Sequence, residues 1–255
     1  MGSLCGQTPP VKTLHSIGSG GVNQTVFSQM AMTRKTRLIF INSILEVARI
    51  YGFDGVDLDW EFPATAEDTM NLAILYKEWR KALHDESKAC RKPRLLLTSA
   101  YYASTRMSNG VSISYPIGTI REYVDWVSPM YYDYRGIWEN LTGEHSALYD
   151  SNSNPCTNYG IGSWIQAVVA PQKLVMGLPA HGHLWKLQDQ NVTGIGAPAT
   201  GPGLGGELGI PPYDDIVDFN RENNVTVKFD GETVPYYSYA GEYRFGTGLS
   251  QSAVI

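Results

Sequence analysis

The chain has 255 residues, 43% hydrophobic and 18% charged, with a formal net charge of −5. A charge content below the roughly 25% of ordinary globular chains argues against disorder, and the lack of a basic field disfavours nucleic acid as a partner. No run approaches the roughly 18 consecutive apolar residues of a membrane span, and Cys5, Cys90 and Cys156 are too few and too scattered for a disulfide framework or a zinc site. In chain order, residues 11–17 read as a short buried strand ended by Gly18-Ser19-Gly20-Gly21. Thr33 can cap a helix through Tyr51, because Leu38, Ile41, Ile44, Leu45 and Ala48 recur at helical spacing and Gly52 supplies the stop. Residues 53–61 form a strand, 67–89 a helix with Leu72, Leu75, Trp79 and Leu83 on one side, and 94–101 a third strand. A short helix at 115–123, a strand at 125–133, a helix at 163–170 and a fifth strand at 173–178 follow. Strands alternating with helices predict repeated βα units on a parallel sheet, and about 250 residues fits a single α/β barrel.

After Trp185 the pattern changes. A Gly/Pro-rich stretch at 194–209 leads to a helix entered by Pro211-Pro212 and running to about Asn223. It lacks the strand-loop-helix order and the Lys of a phosphate loop. Two β-rich runs around Asp230-Gly231 read as a hairpin. Residues 186–245 thus form a small α+β subdomain after the fifth strand. The N-terminus, Met1-Gly2-Ser3-Leu4-Cys5-Gly6, reads as no signal peptide, and Gly6 stands where a myristoylation start wants Ser or Thr. Four N-x-[ST] sequons begin at Asn23, Asn140, Asn191 and Asn224, where chance gives about two, which suggests a secreted origin.

The informative segment is Phe53-Asp54-Gly55-Val56-Asp57-Leu58-Asp59-Trp60-Glu61-Phe62-Pro63. In a strand, alternate side chains share a face about 6.6–7 Å apart, so Asp57, Asp59 and Glu61 point one way and Val56, Leu58 and Trp60 the other. Both faces of a parallel sheet are normally apolar, and three carboxylates on one of them are costly without partners or a task. Such crowding leaves at least one acid holding a proton near neutral pH. Glu61 comes last, at the C-terminal end where barrel active sites lie, as a natural general acid. A calcium loop would instead curl its ligands around a turn.

Asp54-Gly55-Val56-Asp57-Leu58-Asp59-Trp60-Glu61 resembles the D-G-x-D-x-D-x-E signature of family 18 glycoside hydrolases, the chitinases and their lectin-like relatives. Ser16-Ile17-Gly18 resembles the third-strand S-x-G-G motif, Met130-Tyr131-Tyr132-Asp133 the sixth-strand M-x-Y-D motif, and residues 173–185 the seventh-strand segment. Residues from about 10 to 245 are similar to plant class V chitinases. The resemblance implies a TIM (β/α)8 barrel, here incomplete with about five of eight βα units, plus the family's α+β insertion. It implies a partial barrel over 1–185, the insertion over 186–245 and a truncated return to the barrel over 246–255. The first two βα units, the eighth strand and its flanking helices have no counterpart, so the resemblance reads as truncated at both ends. Such an open sheet would have two parallel edges, and a broad, non-cooperative melt is the expectation if the chain does not fold alone.

The resemblance also implies a reaction: hydrolysis of β-1,4 N-acetylglucosamine linkages with retention, in which the substrate's own acetamido oxygen is the nucleophile. Glu61 would be the acid and base. Asp59 would orient the acetamido group, Asp57 would share a proton with Asp59, and Tyr132 would donate to the acetamido carbonyl. Met130 would line the sugar pocket, Asp133 would bind the adjacent sugar and Trp138 would offer a stacking platform, although Met130 and Trp138 also fit as core residues. The implied partners are chitin or its oligosaccharides, with no nucleic acid, no membrane, no cofactor and no metal, in an extracellular or vacuolar setting. A lectin-like protein that binds chitin oligosaccharides without turnover, or an inactive truncated homologue, is the alternative. Ser19 replaces the second Gly of the third-strand motif, and a Ser fits there if its backbone angle is ordinary. Ala180-His181-Gly182-His183 replaces the usual L-Y-G-R. The His-x-His pair alone does not make a metal site, because His15, His84 and His145 show no matching pattern.

Overall fold

The computed structural model describes residues 11–106, 113–151, 155–203, 209–225 and 227–247. The reading of the N-terminal hexapeptide lies outside them. Strand β1 (Leu14–Gly18) leads through α1 (Gln24–Met32) and α2 (Arg34–Tyr51) to β2 (Gly55–Asp59). Then come α3 (Ala66–Cys90), β3 (Leu96–Tyr102), α4 (Ile117–Tyr123), β4 (Trp126–Met130) and α5 (Thr157–Gln166). These four strands form a sheet in the order β1-β2-β3-β4, with β1–β2 and β2–β3 paired in parallel. The α/β expectation is met, but among the described residues this sheet has four strands rather than five. Residues 173–178 make only one parallel bridge, Leu174 to Val127, and Val175, Met176 and Leu178 stay largely exposed.

Local chemistry explains the helices. Thr33 accepts a hydrogen bond from the Thr36 backbone N–H, and Gly52, in the left-handed conformation at φ 71°, ends α2. In α3, Thr65 and Asp68 form a reciprocal capping box. Leu72, Leu75, Trp79 and Leu83 of α3 are all at most 1% exposed, each burial favouring the fold by about 1.5–3 kcal/mol. Helix α1 is an addition to the elements expected from sequence. There Asn23, one of the sequon asparagines, caps α1 through its side chain, and Phe27 of α1 stacks on Trp60 with ring centroids 5.7 Å apart.

The chain divides into two compact units. The first holds β1 to β3, most of β4, helices α1 to α4 and residues 164–175, around one apolar core. The second takes in residues 130–163 and those from 176 onward. It contains β5 (Gly182–Leu187), β6 (Ala199–Pro202), α6 (Tyr213–Glu222), β7 (Lys228–Phe229), β8 (Tyr236–Ala240) and β9 (Tyr243–Thr247). Its sheet runs in the order β6-β5-β9-β8-β7, and the paired strands are antiparallel. The expected hairpin is β7–β8, closed by a longer loop in which the Asp230 carboxylate accepts from the Glu232 and Thr233 backbone N–H groups. His183 in β5 pairs with Gly246, and Gly182 with Thr247, so the antiparallel sheet also takes in residues on either side of the expected 186–245 span. Among the described residues, no helix is long and apolar enough to cross a membrane.

Candidate active site

In the first unit, β2 sits centrally in its sheet, and the register of its neighbours builds the acidic face. Ser16 of β1 and Thr98 of β3 are the Cα partners of Asp57. The Ser16 hydroxyl donates to Asp57 Oδ2 at 2.8 Å, and that of Thr98 to Oδ1 at 2.5 Å. The opposite face is apolar as expected: Val56 and Leu58 are fully buried and Trp60 is 3% exposed. Asp59, half-buried at the end of the strand, hydrogen-bonds to Glu61 through its side chain, while its Oδ1 is buried without a partner. Burial, with the neighbouring Asp57 charge, pushes the Asp59 carboxyl up to about 6, against the opposing pull of the Glu61 hydrogen bond. Asp59 thus holds a proton more tightly than a free carboxyl does, in line with the crowding expected among these acids.

The loop after β1 approaches this face closely. A Cβ on Gly18 (φ 131°) would stand 1.8 Å from the Asp59 carbonyl oxygen, so only glycine fits. At Gly20 a Cβ would come within 3.3 Å of Glu61 Oε2. Ser19 lies at φ 155°. That angle is not ordinary for a side-chain-bearing residue, and it explains why glycine is usual in the motif. Ser16 and Thr98 are partners that the acidic octapeptide by itself could not disclose.

The remaining candidates sit in the second unit, except that Met130 also closes β4. The strand expected through Asp133 ends at Met130, and Asp133 adopts a left-handed backbone at φ 59°. Met130 is half-buried, and Tyr132 meets His181 edge-on with ring centroids 5.7 Å apart. Trp138 is 60% exposed, which rules out the core reading, and its ring edge contacts His183. Asp133 Oδ1 accepts from His181 Nε2 and His183 Nε2, each at 2.8 Å, and lies 3.5 Å from His145 Nδ1. Burial alone would raise the Asp133 carboxyl, but the contacts with His145, His181 and His183 hold it far below the usual carboxylate range. The expectation that His145 has no pattern in common with the His-x-His pair is corrected here. It lies 36 residues before His181 in sequence, a separation with no local periodicity to reveal it, and only the fold brings the rings together.

The profile of glycosyl hydrolases family 18 matches residues 3–247. The chain belongs to glycosyl hydrolases family 18. It is 53% identical over 238 residues to "Class V chitinase CHIT5a" of Medicago truncatula, an alignment covering 92% of this chain and 62% of that protein. The chain thus spans about three fifths of the length of the curated relatives it matches. A solved family 18 chitinase of Cycas revoluta, in complex with (GlcNAc)3, superimposes with a TM-score of 0.88 at 38% identity, over 96% of this chain and 70% of that one. A chitinase-like agglutinin from Robinia pseudoacacia superimposes with a TM-score of 0.84 at 36% identity, over 98% and 72%. The resemblance seen in the octapeptide thus extends over nearly all of the chain. In this family 18 chain, the acidic strand motif is carried by β2 and the turn beyond it.

Proposed function

We propose that the chain acts on β-1,4 N-acetylglucosamine polymers, chitin or its oligosaccharides, by substrate-assisted hydrolysis with retention. The observation that carries this is the acidic group on β2: Asp59, raised to about 6, hydrogen-bonded to Glu61 and one strand position removed from an anchored Asp57. Glu61 gives its proton to the glycosidic oxygen as that bond to the anomeric carbon breaks. The acetamido oxygen of the same sugar forms the new bond to that carbon, so no second carboxylate nucleophile is needed. Asp59 orients the acetamido group and balances the positive charge of the oxazolinium ion, and Asp57 shares its proton with Asp59. Glu61 then takes a proton from the water that opens the ring, which returns the acid to its starting state. Tyr132 donates to the acetamido carbonyl, Met130 lines the sugar pocket, Asp133 binds the neighbouring sugar and Trp138 offers a stacking surface. In this reading, the parallel sheet is the partial (β/α)8 barrel of the family, and the antiparallel sheet with α6 is its insertion. An extracellular or vacuolar setting accords with the exposed sequon asparagines Asn140 and Asn191.

Release of reducing ends from N-acetylglucosamine oligomers tests the proposal. The wild type is expected to turn over, and Glu61→Gln to lose about 10²–10⁴-fold in rate while still binding the oligomer. Binding without turnover by the wild type would sink the enzymatic reading in favour of a lectin, in line with the Robinia neighbour, a chitinase-like agglutinin.

A further inference from the structure

We propose that Asp133, His145, His181 and His183 form a binding site for one divalent transition-metal ion of the zinc class. One atom from each, a ring nitrogen or a carboxylate oxygen, lies within 4.8 Å of every other. All four belong to the second unit. Two positions are set by β5: His181 and His183 are two residues apart and so share a face at its start. The other two are set by the loops. The Tyr134 N–H donates to the His145 carbonyl at 2.9 Å, tying His145 beside Asp133, and the preceding Glu144 is pinned by Arg244 at 2.5 Å.

Hydrogen bonding leaves this cluster unfinished. A single carboxylate oxygen, Asp133 Oδ1, takes both His181 and His183, and the third ring stands off at 3.5 Å. His145 and His183 are completely buried. Neither ring nitrogen of His145 has a hydrogen-bond partner, nor has His183 Nδ1. Buried polar atoms are seldom left so. A cation among the four groups gives each ring a bond, and each neutral imidazole can turn a lone pair inward by moving its proton to the other nitrogen.

The dimensions agree. Four ligands at about 2.0–2.2 Å in a tetrahedron stand about 3.3–3.6 Å from one another, so the two 2.8 Å contacts need to open by roughly half an ångström and the wider separations, within 4.8 Å, to close by about 1 Å at most. Three imidazoles and one carboxylate suit zinc, cobalt, nickel or copper and not calcium or magnesium, which want oxygen. The outer nitrogens of His145 and His183 lack acceptors, so affinity is expected to be roughly 10–100-fold below that of a site with a completed outer shell. His145 lies where sequence spacing pointed to no site, and His181 and His183 fall within the Ala180–His183 departure from the family's usual motif.

The test is titration of chelator-treated protein with Co²⁺ and Zn²⁺. One equivalent of Co²⁺ is expected to give the intense visible absorption of four-coordinate cobalt, and Zn²⁺ at about 100 times its Kd to raise Tm by roughly 5–10 °C. His181→Gln alters a partly exposed ring. With its metal-free Tm near that of the wild type, it is expected to lose the cobalt band and the zinc shift, as is His145→Gln. No band in the wild type, or an undiminished band in both variants, overturns the site. If Asp133 also holds a sugar, as proposed above, Zn²⁺ is expected to weaken N-acetylglucosamine tetramer binding about tenfold in the wild type and not in His181→Gln. Unchanged sugar binding alongside an intact cobalt band overturns that sugar role for Asp133 and leaves the metal site standing.

Discussion

Asp59 binds its proton more tightly in the folded chain than a free carboxyl does, because it is half-buried beside a second acid. Its raised folded value means that the unfolded chain gives up this proton first as pH rises. The associated stability is complete below about pH 4 and is lost as pH climbs through about 6. Discounted for partial solvent exposure, the loss is about 1 kcal/mol at pH 8. Asp59→Asn keeps the shape and can donate to Glu61 without carrying a charge. It is expected to be about 1 kcal/mol more stable than the wild type at pH 8 and equal to it near pH 4, as read by urea unfolding at the two pH values. A gap of the same size at both would show that desolvation of the charge is not the cause. The same substitution is expected to lower turnover, since that charge is what the oxazolinium ion needs; stability and activity pull in opposite directions at this residue.

Elements differ in how they are held. Helices α2 and α3 carry their own start signals in Thr33 and the Thr65–Asp68 box, and bury continuous apolar stripes. Strand β9 rests instead on a long-range ion pair. Arg244 is fully buried and donates to Glu144 at 2.5 Å and to the Thr193 carbonyl at 3.2 Å, with its guanidinium over the Tyr237 ring. Burial pushes the Glu144 carboxyl up to about 7 despite the Arg244 charge, which marks how poorly water reaches the pair. Arg244→Met strands that acid, and a loss of about 3–5 kcal/mol is expected in urea unfolding at pH 8. Adding Glu144→Leu is expected to restore most of it, because the second charge then needs no partner. A double variant as unstable as the single one would assign the cost to packing around the strand.

At the scale of the whole molecule, net charge −5 and a proposed uncharged ligand make a joint prediction. Oligosaccharide binding releases no counterions and needs no steering field, so kcat/KM is expected to change less than about twofold between roughly 50 and 500 mM salt. A steep fall with salt would point to an anionic ligand instead. The two sheets follow different rules of assembly. The parallel sheet is joined by helices and packs on them, as βα connections require. The antiparallel sheet joins the sequence-local pairs β7–β8 and β8–β9 to β5 through one distant pairing, which sets His183 against Gly246.

The elements legible in the sequence are those whose causes are local. The Thr33 cap, the Gly52 stop and the apolar stripe of α3 each depend on residues within a few turns, and the alternation in β2 depends on parity alone. That is why the acidic face, Trp60 behind it and the family resemblance are all readable from the chain alone. Strand β9, the single bridge at Leu174 and the strained angle at Ser19 were not legible, because each is settled by pairing or close approach to distant chain. The same holds for the site. Sequence parity placed Asp57 and Asp59 on one face of β2, with Glu61 in the turn beyond the strand. Tertiary structure decided that Ser16 and Thr98, each 41 residues from Asp57, would hold it, and that His145 would meet His181, His183 and Asp133. Register and loop closure, which no short window of sequence encodes, made those choices.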